Sequence, residues 1–281
     1  MKVIDCLCGC GGFGLGFEYK GFSIPYAFDR GTVETYEKNR RTHSVFVRDV
    51  YDVSRETIKK DLGGYMPVFD VLIGTAPCIE FKVAGGVLLE LIRLIKELQP
   101  KVFILGGVQG LMRKRSWVEY RLMKTLLGEA GYRLFTKHAL LSFYGVPQNR
   151  PKSFIIGTRA DIPNSFQFPT PISQETPTVR DAIYDLMKRK GIPNHDVQYG
   201  FNGHRLNWDT PATGIDARFH KTVGHPVFNR AITIREWARL FTYPDTYIFY
   251  GDTAKVAKQI INSIPVRLSE CLAGEVRRVL V

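Results

Sequence analysis

A glycine-rich segment near the N-terminus is the first part of the chain whose composition points to chemistry. The apolar run Val3–Leu7 leads into Cys8–Gly16, which contains five glycines. Glycine permits a tight turn and close approach of a ligand to backbone amides, which bind polar groups at the start of a helix. The segment therefore predicts a cofactor of the nucleotide type. A dinucleotide loop and a phosphate loop are competing interpretations.

Two aspartates follow the next apolar segments along the chain. Asp29 comes directly after Tyr26–Phe28, and Asp49 follows Val45–Val47. Acidic residues at the ends of such strands bind ribose hydroxyls in nucleotide-binding folds. Asp29 is therefore a candidate for the ribose and Asp49 for an adenine amino group. Each aspartate taken alone is equally compatible with a helix cap.

A cysteine follows a later apolar segment. Cys78 comes directly after Pro77, close to the end of Val71–Gly74. An open α/β sheet presents ligands at the carboxyl ends of its strands, and a thiolate there is a candidate nucleophile. A buried structural cysteine is the usual alternative. The position, the preceding proline and the upstream glycine-rich segment together favour the nucleophile.

Basic, aromatic and histidine side chains are concentrated between Asn194 and Val227. The mixture suits contacts to phosphates and to base edges, so this stretch is the candidate for target recognition. The alternative is that Trp208 and Phe219 pack a small core while the histidines lie on the surface. The histidines have no metal-ligand spacing, and no zinc site is predicted.

The elements that must position these residues alternate between strands and helices. Strands are expected at Val3–Cys8, Phe22–Phe28, Val45–Val47, Val68–Gly74 and Val102–Leu105. Helices are expected at Thr32–Arg40, Val87–Leu98 and Trp117–Ala130, and a closing hairpin at Leu134–Leu141 with Ser153–Gly157. Such alternation predicts an α/β fold with a doubly wound, mostly parallel sheet.

The composition of the chain changes near Ala160, where prolines begin to separate short segments. Later helices are expected at Thr178–Lys190, Ile234–Phe241 and Pro265–Leu280. We predict a catalytic and cofactor-binding domain at residues 1–160 and a small target-recognition domain at residues 161–235. The C-terminal segment, residues 236–281, is expected to return to the large domain.

The overall charge favours a polyanionic partner. The 281 residues include 39 Lys and Arg against 27 Asp and Glu, a net charge of +12. Phosphate contacts and counterion release account for such an excess, and a solubilising surface excess is the alternative. The five cysteines form neither a disulfide ladder nor paired zinc spacing. No stretch approaches the roughly 18 apolar residues of a membrane span, so we expect a soluble cytoplasmic protein.

Six segments, in order, resemble the motifs of the DNA (cytosine-5)-methyltransferases. Asp5–Phe17 resembles the cofactor loop of the family, and Asp29 and Asp49 resemble its next two cofactor acids. Gly74-Thr75-Ala76-Pro77-Cys78 is similar to the Pro-Cys nucleophile segment. The remaining matches are Gly145–Lys152 with the Gln-x-Arg-x-Arg block, Arg230–Glu236 together with Phe241–Asp245, and Asn262-Ser263-Ile264-Pro265.

The resemblance implies a Rossmann-like, S-adenosylmethionine-dependent enzyme that methylates cytosine C5 in double-stranded DNA as part of a restriction-modification system. Its implied catalytic residues are Cys78, Gln148, Arg150 and Lys152. Its implied cofactor residues are Asp5, Leu7, Gly9, Cys10, Gly11, Gly12, Leu15, Asp29, Arg30, Asp49, Val50, Pro77, Asn262 and Ser263. The candidate nucleic-acid contacts are Arg205, Arg218, Lys221 and Arg230. We expect a monomer, with a restriction endonuclease or a second methyltransferase as a functional partner.

The implied mechanism flips a cytosine out of the duplex, adds the Cys78 thiolate to C6, transfers a methyl group to C5 and then eliminates the thiolate. The covalent step has a physical reason, because C5 is a poor nucleophile. A substituent on C6 makes the ring enamine-like, so that C5 can attack a sulfonium methyl group.

The chain departs from the family pattern around the base. Where the family has Glu-Asn-Val, with a glutamate that acts on N3 of cytosine, this chain has Gly106-Gly107-Val108. A general-acid contribution, commonly about 10²–10⁴-fold, is missing unless another group substitutes. Glu80 is a candidate substitute, and a solvated loop charge is the simpler interpretation of that residue.

Further departures lie in the same motifs, and the loop after Cys78 is shorter than in the family. Ile79 and Lys82 replace Gln and Ser, Lys152 replaces the second Arg of its block, Phe241 stands where Gln is common, and Ile261 replaces Gly. The sequence thus favours a methyltransferase. The alternative is a catalytically impaired or engineered methyltransferase-like DNA-binding protein that acts as a partner or regulator. An RNA-directed relative is a third hypothesis.

Overall fold

A seven-stranded sheet forms the centre of the fold. The computed structural model describes residues 1–31, 33–40, 44–75, 86–107, 117–172, 175–188, 191–193, 195, 201, 203–215 and 222–281. The strands of the sheet are β1 (Lys2–Cys6), β2 (Ser23–Asp29), β3 (Val45–Val47), β4 (Val71–Thr75), β5 (Val102–Gly106), β6 (Tyr132–Leu140) and β7 (Pro151–Arg159). Their order across the sheet is β3-β2-β1-β4-β5-β7-β6.

The sheet is parallel from β3 to β5 and antiparallel at its β7–β6 edge. Strand β4 is largely apolar because both of its faces are buried. Val71 and Ile73 belong to the core on one face of the sheet, and Leu72 belongs to the core on the other. A strand that is covered on both faces has a nearly continuous apolar sequence. The predicted α/β fold class with a mostly parallel sheet is confirmed.

The described helices are α1 (Gly12–Tyr19), α2 (Glu34–Asn39), α3 (Arg55–Asp61), α4 (Val87–Leu98), α5 (Trp117–Glu129), α6 (Val179–Ile183), α7 (Ile234–Leu240), α8 (Thr253–Asn262) and α9 (Val266–Leu280). Helices α1 and α9 contribute to the core on one face of the sheet, and α3, α4 and α5 to the core on the other. A third apolar cluster joins α6, α7 and α8. Among the described residues, no helix has the length and apolar character needed to cross a membrane.

The two ends of the chain meet where α1 packs against α9. A Cβ atom at Gly16 would overlap the side chain of Ser269 and lie 2.6 Å from the backbone nitrogen of Glu270. The Ser269 hydroxyl donates to the Phe13 carbonyl at 2.5 Å. Glycine at position 16 therefore permits the close approach that ties the C-terminal helix to the cofactor-loop helix.

Most predicted elements are observed within a few residues of their expected ends, including the hairpin, whose strands β6 and β7 are longer than expected. The predicted helix Thr178–Lys190 is wrong in its length. Helix α6 ends at Ile183, and a short 3-10 turn, Tyr184–Met187, follows. Arg239, from α7, donates to the Ala182 carbonyl at 3.1 Å, where the α-helix gives way to the 3-10 turn.

Helices α3 and α8 were not expected from the sequence. Ser54 caps α3 by accepting from the Thr57 amide at 3.2 Å. Asp252 caps α8 by accepting from the amides of Ala254 and Lys255 at 2.9 and 3.1 Å. Both caps belong to the preferred residue types, and the buried apolar face of α8 has helical spacing, so both helices had a readable pattern.

The substitution Gly16→Ala tests the packing of α1 on α9. The added methyl group has no room at this contact, so we expect a loss of about 1–3 kcal/mol in the free energy of unfolding. The matched control is Gly274→Ala in α9, where an added Cβ meets nothing within 4 Å and should stabilise the helix by about 0.5–1 kcal/mol. Urea unfolding measures both changes, and equal stability of the two variants would contradict the account.

Candidate cofactor and base site

The loop between β1 and α1 has an unusual backbone. Leu7, Gly9 and Gly11 have φ angles of 55°, 52° and 81°. A non-glycine residue in this left-handed region is uncommon and carries strain that recurs at functional sites. The Leu7 carbonyl accepts a hydrogen bond from the Thr75 hydroxyl at 3.0 Å. The loop therefore lies beside the end of β4, which leads toward Cys78 in the sequence.

The predicted cofactor glycines differ in what surrounds them. A Cβ atom at Gly9 would meet nothing within 4 Å, whereas one at Gly11 would overlap the Tyr36 ring. At Gly12, a Cβ atom would overlap the Tyr243 hydroxyl and lie 2.6 Å from the Ile264 carbonyl. Gly9 thus faces open space. Gly11 and Gly12 permit close packing of the loop against protein.

Two further members of the predicted cofactor loop are buried. The Cys10 sulfur lies 3.1 Å from the Tyr243 hydroxyl, and the Tyr247 hydroxyl donates to the Cys10 carbonyl at 2.6 Å. Leu15 belongs to the apolar cluster of α6, α7 and α8. These residues fix the shape of the loop. The sequence does not indicate that Tyr243 and Tyr247 support this loop, because no local pattern relates residues so far apart in the chain.

Asp29 links β2 to the glycine loop. Its carboxylate accepts from the Gly9 amide at 3.1 Å and from the Gly31 amide at 2.7 Å. Asp49 follows the neighbouring strand β3 and accepts from the Tyr51 amide at 3.3 Å, so it also caps a short 3-10 turn. The two carboxylates therefore lie at the ends of adjacent parallel strands, on the edge of the sheet that carries the loop.

An open pocket adjoins this edge of the sheet. Its volume is about 690 Å³, and it is lined by Arg30, Val47, Arg48, Asp49, Asp52, Glu56, Thr57, Lys60 and Asp61. Arg30 is exposed, whereas Val50 is buried directly behind Asp49. The structure therefore brings Arg30 and Asp49 to one surface, next to the loop that holds Gly9.

Asp5 lies beneath the loop in the interior. Burial raises the pKa of its carboxyl group to about 7, although the charge of Arg40 and a hydrogen bond from Tyr36 lower it. The Tyr36 hydroxyl is 3.4 Å from one carboxyl oxygen, and the other oxygen has no hydrogen-bond partner. Asp5 is fully buried and therefore supports the loop from the interior.

The predicted catalytic residues of β7 and its preceding loop bond to the C-terminal segment. Arg150 donates to the Ile261 carbonyl at 2.9 Å. The Lys152 ammonium group donates to the carbonyls of Asn262 and Ser263 at 3.2 and 2.6 Å. The side chain of Asn262 is exposed and that of Ser263 is buried. The structure thus brings together two motifs that are more than 100 residues apart.

Gln148 makes a different connection. It is fully buried, and its amide nitrogen donates to the Leu240 carbonyl at 2.6 Å, at the end of α7. The neighbouring Asn149 amide donates to the Ala212 carbonyl at 2.8 Å. This short segment therefore joins the central sheet to both α7 and the residues of the predicted recognition region.

Gly106 lies at the end of β5, next to β7. A Cβ atom at this position would be 2.8 Å from Cδ1 of Ile264 and 3.2 Å from Cε1 of Phe154. Gly106 pairs with Phe154 across the two strands, and Lys152, two residues earlier, faces the same side of the sheet. The position where the family has a glutamate is therefore bordered by apolar side chains, a packing arrangement that the sequence does not predict.

Two of the predicted nucleic-acid contacts have other partners. Arg230 is 5% exposed and forms two 2.7 Å hydrogen bonds with the Glu236 carboxylate. Its guanidinium group is not available to a phosphate, so that prediction is wrong. Arg205 is exposed, and it bonds to the His225 and Phe228 carbonyls at 3.0 and 2.6 Å. Arg218 and Lys221, like Pro77 and Cys78, lie outside the described residues.

The sequence matches the family described as C-5 cytosine-specific DNA methylase over residues 1–215 and 190–278. The type II methyltransferase M.FnuDI of Fusobacterium nucleatum is 29% identical, with 100% of this chain and 95% of the relative covered. M.MthTI of Methanothermobacter thermautotrophicus is 27% identical, with coverage of 99% and 97%. The alignment with M.FnuDI spans 337 positions, so that relative has segments that this chain lacks.

Solved structures are similar in fold over the whole chain. A DNA modification methyltransferase encoded within an Escherichia coli prophage superimposes with a TM-score of 0.81 at 22% identity, covering 100% of this chain and 99% of its own. A variant of Spodoptera frugiperda DNMT2 gives a TM-score of 0.75 at 15% identity with the same coverage.

The substitution Asp5→Asn tests the buried carboxyl group. Because folding raises the pKa of Asp5 from 3.8 to about 7, the folded state binds this proton more tightly than the unfolded state. The stability contributed by the neutral carboxyl is complete below about pH 4 and is lost as the pH rises toward 7. The variant should therefore gain stability relative to the parent between pH 4.5 and 7.5. Denaturant unfolding at both pH values measures the difference, and a pH-independent difference would refute the assignment.

Proposed function

Because this chain belongs to the C-5 cytosine-specific DNA methylase family, we propose that it transfers a methyl group to C5 of cytosine in double-stranded DNA. The observation that carries the proposal is the family match along nearly the whole chain, together with a glycine loop placed beside two strand-end carboxylates. The net charge of +12 suits a duplex partner. The family and the fold imply the use of S-adenosylmethionine.

The described residues fit that cofactor. Gly9 leaves open space in which a ligand can approach the backbone, and Asp29 and Asp49 offer acceptors for ribose hydroxyls and an adenine amino group. Leu7, Arg30, Val50 and Asn262 are proposed to complete this site. When bound, the cofactor supplies an electrophilic methyl group on a sulfonium sulfur.

The remaining steps belong to side chains of this chain. Cys78, directly after Pro77, is proposed to add to C6 of a flipped cytosine as a thiolate, which makes C5 nucleophilic. Arg150 and Lys152 hold the carbonyls of Ile261, Asn262 and Ser263, so they keep the C-terminal motif against β7. Gln148 holds the end of α7 in the same way. These three residues therefore position the walls of the base pocket.

The substrate is proposed to be duplex DNA, with Arg205, Arg218 and Lys221 contributing to its contact surface. The relatives M.FnuDI and M.MthTI are named type II methyltransferases, which favours a restriction-modification role with a cognate endonuclease or a second methyltransferase. We propose a monomer that acts in the cytoplasm. The division into residues 1–160, 161–235 and 236–281 is proposed for its lobes.

One observation favours a second candidate, a DNA-binding relative with little or no turnover. The corner at Gly106 is apolar, because Ile264 and Phe154 border the position of the family's glutamate. No described carboxylate stands there to act on N3 of the cytosine, and loss of such a general acid costs about 10²–10⁴-fold in rate. Such a protein would bind DNA and cofactor and act as a partner or regulator.

Transfer of tritium from labelled S-adenosylmethionine to mixed-sequence duplex DNA tests the proposal. We expect slow labelling that is abolished in Cys78→Ala, because the nucleophile is required. Restoring the acid as Gly106→Glu combined with Ile264→Val should accelerate labelling by about 10²–10⁴-fold. The second change removes Cδ1 of Ile264, the atom nearest to the new Cβ.

The single substitution Ile264→Val is the matched control for the double variant, and it should label DNA at the parent rate. Absence of labelling in the parent at stoichiometric enzyme, with duplex binding intact, would reject methyl transfer in favour of the binding protein. An unchanged rate in the double variant would instead assign the defect to the loop that follows Cys78.

The cofactor assignment predicts a loss of affinity in Asp29→Ala. This change removes a ribose acceptor and also the carboxylate that holds the Gly9 amide, so calorimetry should show at least about tenfold weaker binding of S-adenosylmethionine. The control is Asp161→Ala, just beyond β7 in the half of the sheet far from β2 and β3, where the aspartate pairs with Arg159. Equal affinities for the two variants would contradict the assignment.

A further inference from the structure

A six-residue turn, His225–Arg230, connects β9 (Val223–Gly224) to the residues before α7. The His225 amide donates to the Arg230 carbonyl at 2.9 Å, and Gly224 forms an antiparallel bridge with Ala231. Strand β9 is itself paired with β8 (His204–Arg205). The base of the turn is therefore closed by backbone hydrogen bonds on both sides.

His225 holds the turn from inside. Its side chain is fully buried, and Nδ1 accepts from the amides of Val227 and Phe228 at 3.2 Å each. A ring nitrogen that accepts carries no proton, so the ring is neutral with its hydrogen on Nε2. Burial lowers the pKa of His225 to about 4, in agreement with that assignment. The side chain of His225, the first residue of the turn, therefore fixes the conformation of the turn.

Two arginines fix the same turn from its flanks. Arg230 pairs with the buried Glu236 carboxylate through two 2.7 Å hydrogen bonds. Arg205 donates to the carbonyls of His225 and Phe228 and, at 3.1 Å, to the side-chain oxygen of Asn229. Arg230 thereby neutralises the negative charge of Glu236 inside the lobe. Arg205 bonds to neutral oxygens, so its positive charge remains beside the turn.

The outer side of the turn is apolar. Val227 and Phe228 are 59% and 44% exposed. The Phe228 ring stacks on His225 with a centroid distance of 4.7 Å and an interplanar angle of 28°, and the Arg230 guanidinium lies 5.5 Å from its centroid. The exposed part of the ring therefore has a defined orientation. An exposed ring that is already ordered loses little conformational entropy when it binds.

We propose that Val227 and Phe228 read a thymine methyl group in the major groove of the target duplex, an inference that rests on the proposed function. Apolar side chains recognise thymine through its C5 methyl group. Two side chains form too small a patch for a protein interface, which buries about 800 Å² per partner. The charge beside the patch also suits DNA, since Arg205 is exposed there and its hydrogen bonds go to neutral oxygens of the turn.

The position of the turn agrees with such a contact. The segment from Arg205 to Ala212 leads from the turn to Asn149, whose amide bonds to the Ala212 carbonyl. Seven residues span at most roughly 25 Å when fully extended. The turn therefore lies within one helical turn of B-DNA, about 34 Å, of the segment that carries Gln148 and Arg150.

Binding to two forms of one mixed-sequence duplex, made with thymine or with uracil, tests the proposal. Replacing thymine by uracil removes the methyl group and should weaken binding of the parent by about fourfold, the value of one buried methyl contact. Phe228→Ala should bind both duplexes equally and at the weaker level. The slope of affinity against salt should not change, because no phosphate contact is lost.

The matched control is Phe135→Ala on the edge strand β6, where the ring is 37% exposed. It should retain the thymine preference of the parent, and Phe228→Leu should retain most of it if the contact is apolar. A thymine preference that persists in Phe228→Ala, or that is lost equally in Phe135→Ala, would overturn the proposal. So would a dimer in the parent that dissociates in Phe228→Ala.

The failure of this inference is distinguishable from the failure of the proposed function. If the parent labels DNA with tritium but shows no preference for thymine, only the role of Phe228 is rejected. If the parent neither labels nor binds duplex DNA, the proposed function is rejected and the inference with it.

Discussion

The packing of the C-terminal segment against the glycine loop is the constraint on which the rest of the structure depends. Gly12 lies too close to Tyr243 and to the Ile264 carbonyl for any other residue, and Tyr247 bonds to the Cys10 carbonyl. The last 40 residues thus complete a site that begins in the first strand. Arg150 and Lys152 add bonds to the same segment from β7. A substitution at this contact is therefore expected to affect both the strand ends of the proposed cofactor site and the residues around Gly106.

Around Gly106, at the end of β5, neighbouring side chains occupy the space that a larger residue would need. With glycine at position 106, Ile264 and Phe154 fill the space around the end of β5, and the Lys152 ammonium group bonds to carbonyls of the C-terminal motif. A well-packed interior leaves few voids. An incoming carboxylate would have to displace an apolar side chain, which is why the acid alone is not a sufficient repair.

The sequence predicted what depends on local pattern. Apolar runs and helical spacing located the strands β1 to β5 and the helix Val87–Leu98, and the order of motifs predicted the family. The sequence could not predict that Arg230 forms an ion pair with Glu236, because a buried ion pair depends on the fold of the segment between the two residues. Nor could it show that Gly11 and Gly12 serve packing while Gly9 faces open space.

The proposed function requires that this fold performs chemistry on cytosine. The most direct measurement is mass spectrometry of nucleosides from duplex DNA incubated with stoichiometric protein and S-adenosylmethionine. We expect 5-methyl-2′-deoxycytidine above the level found with Cys78→Ala, and none when the cofactor is omitted. Equal traces with the parent and with Cys78→Ala, from proteins that both bind the duplex, would contradict it.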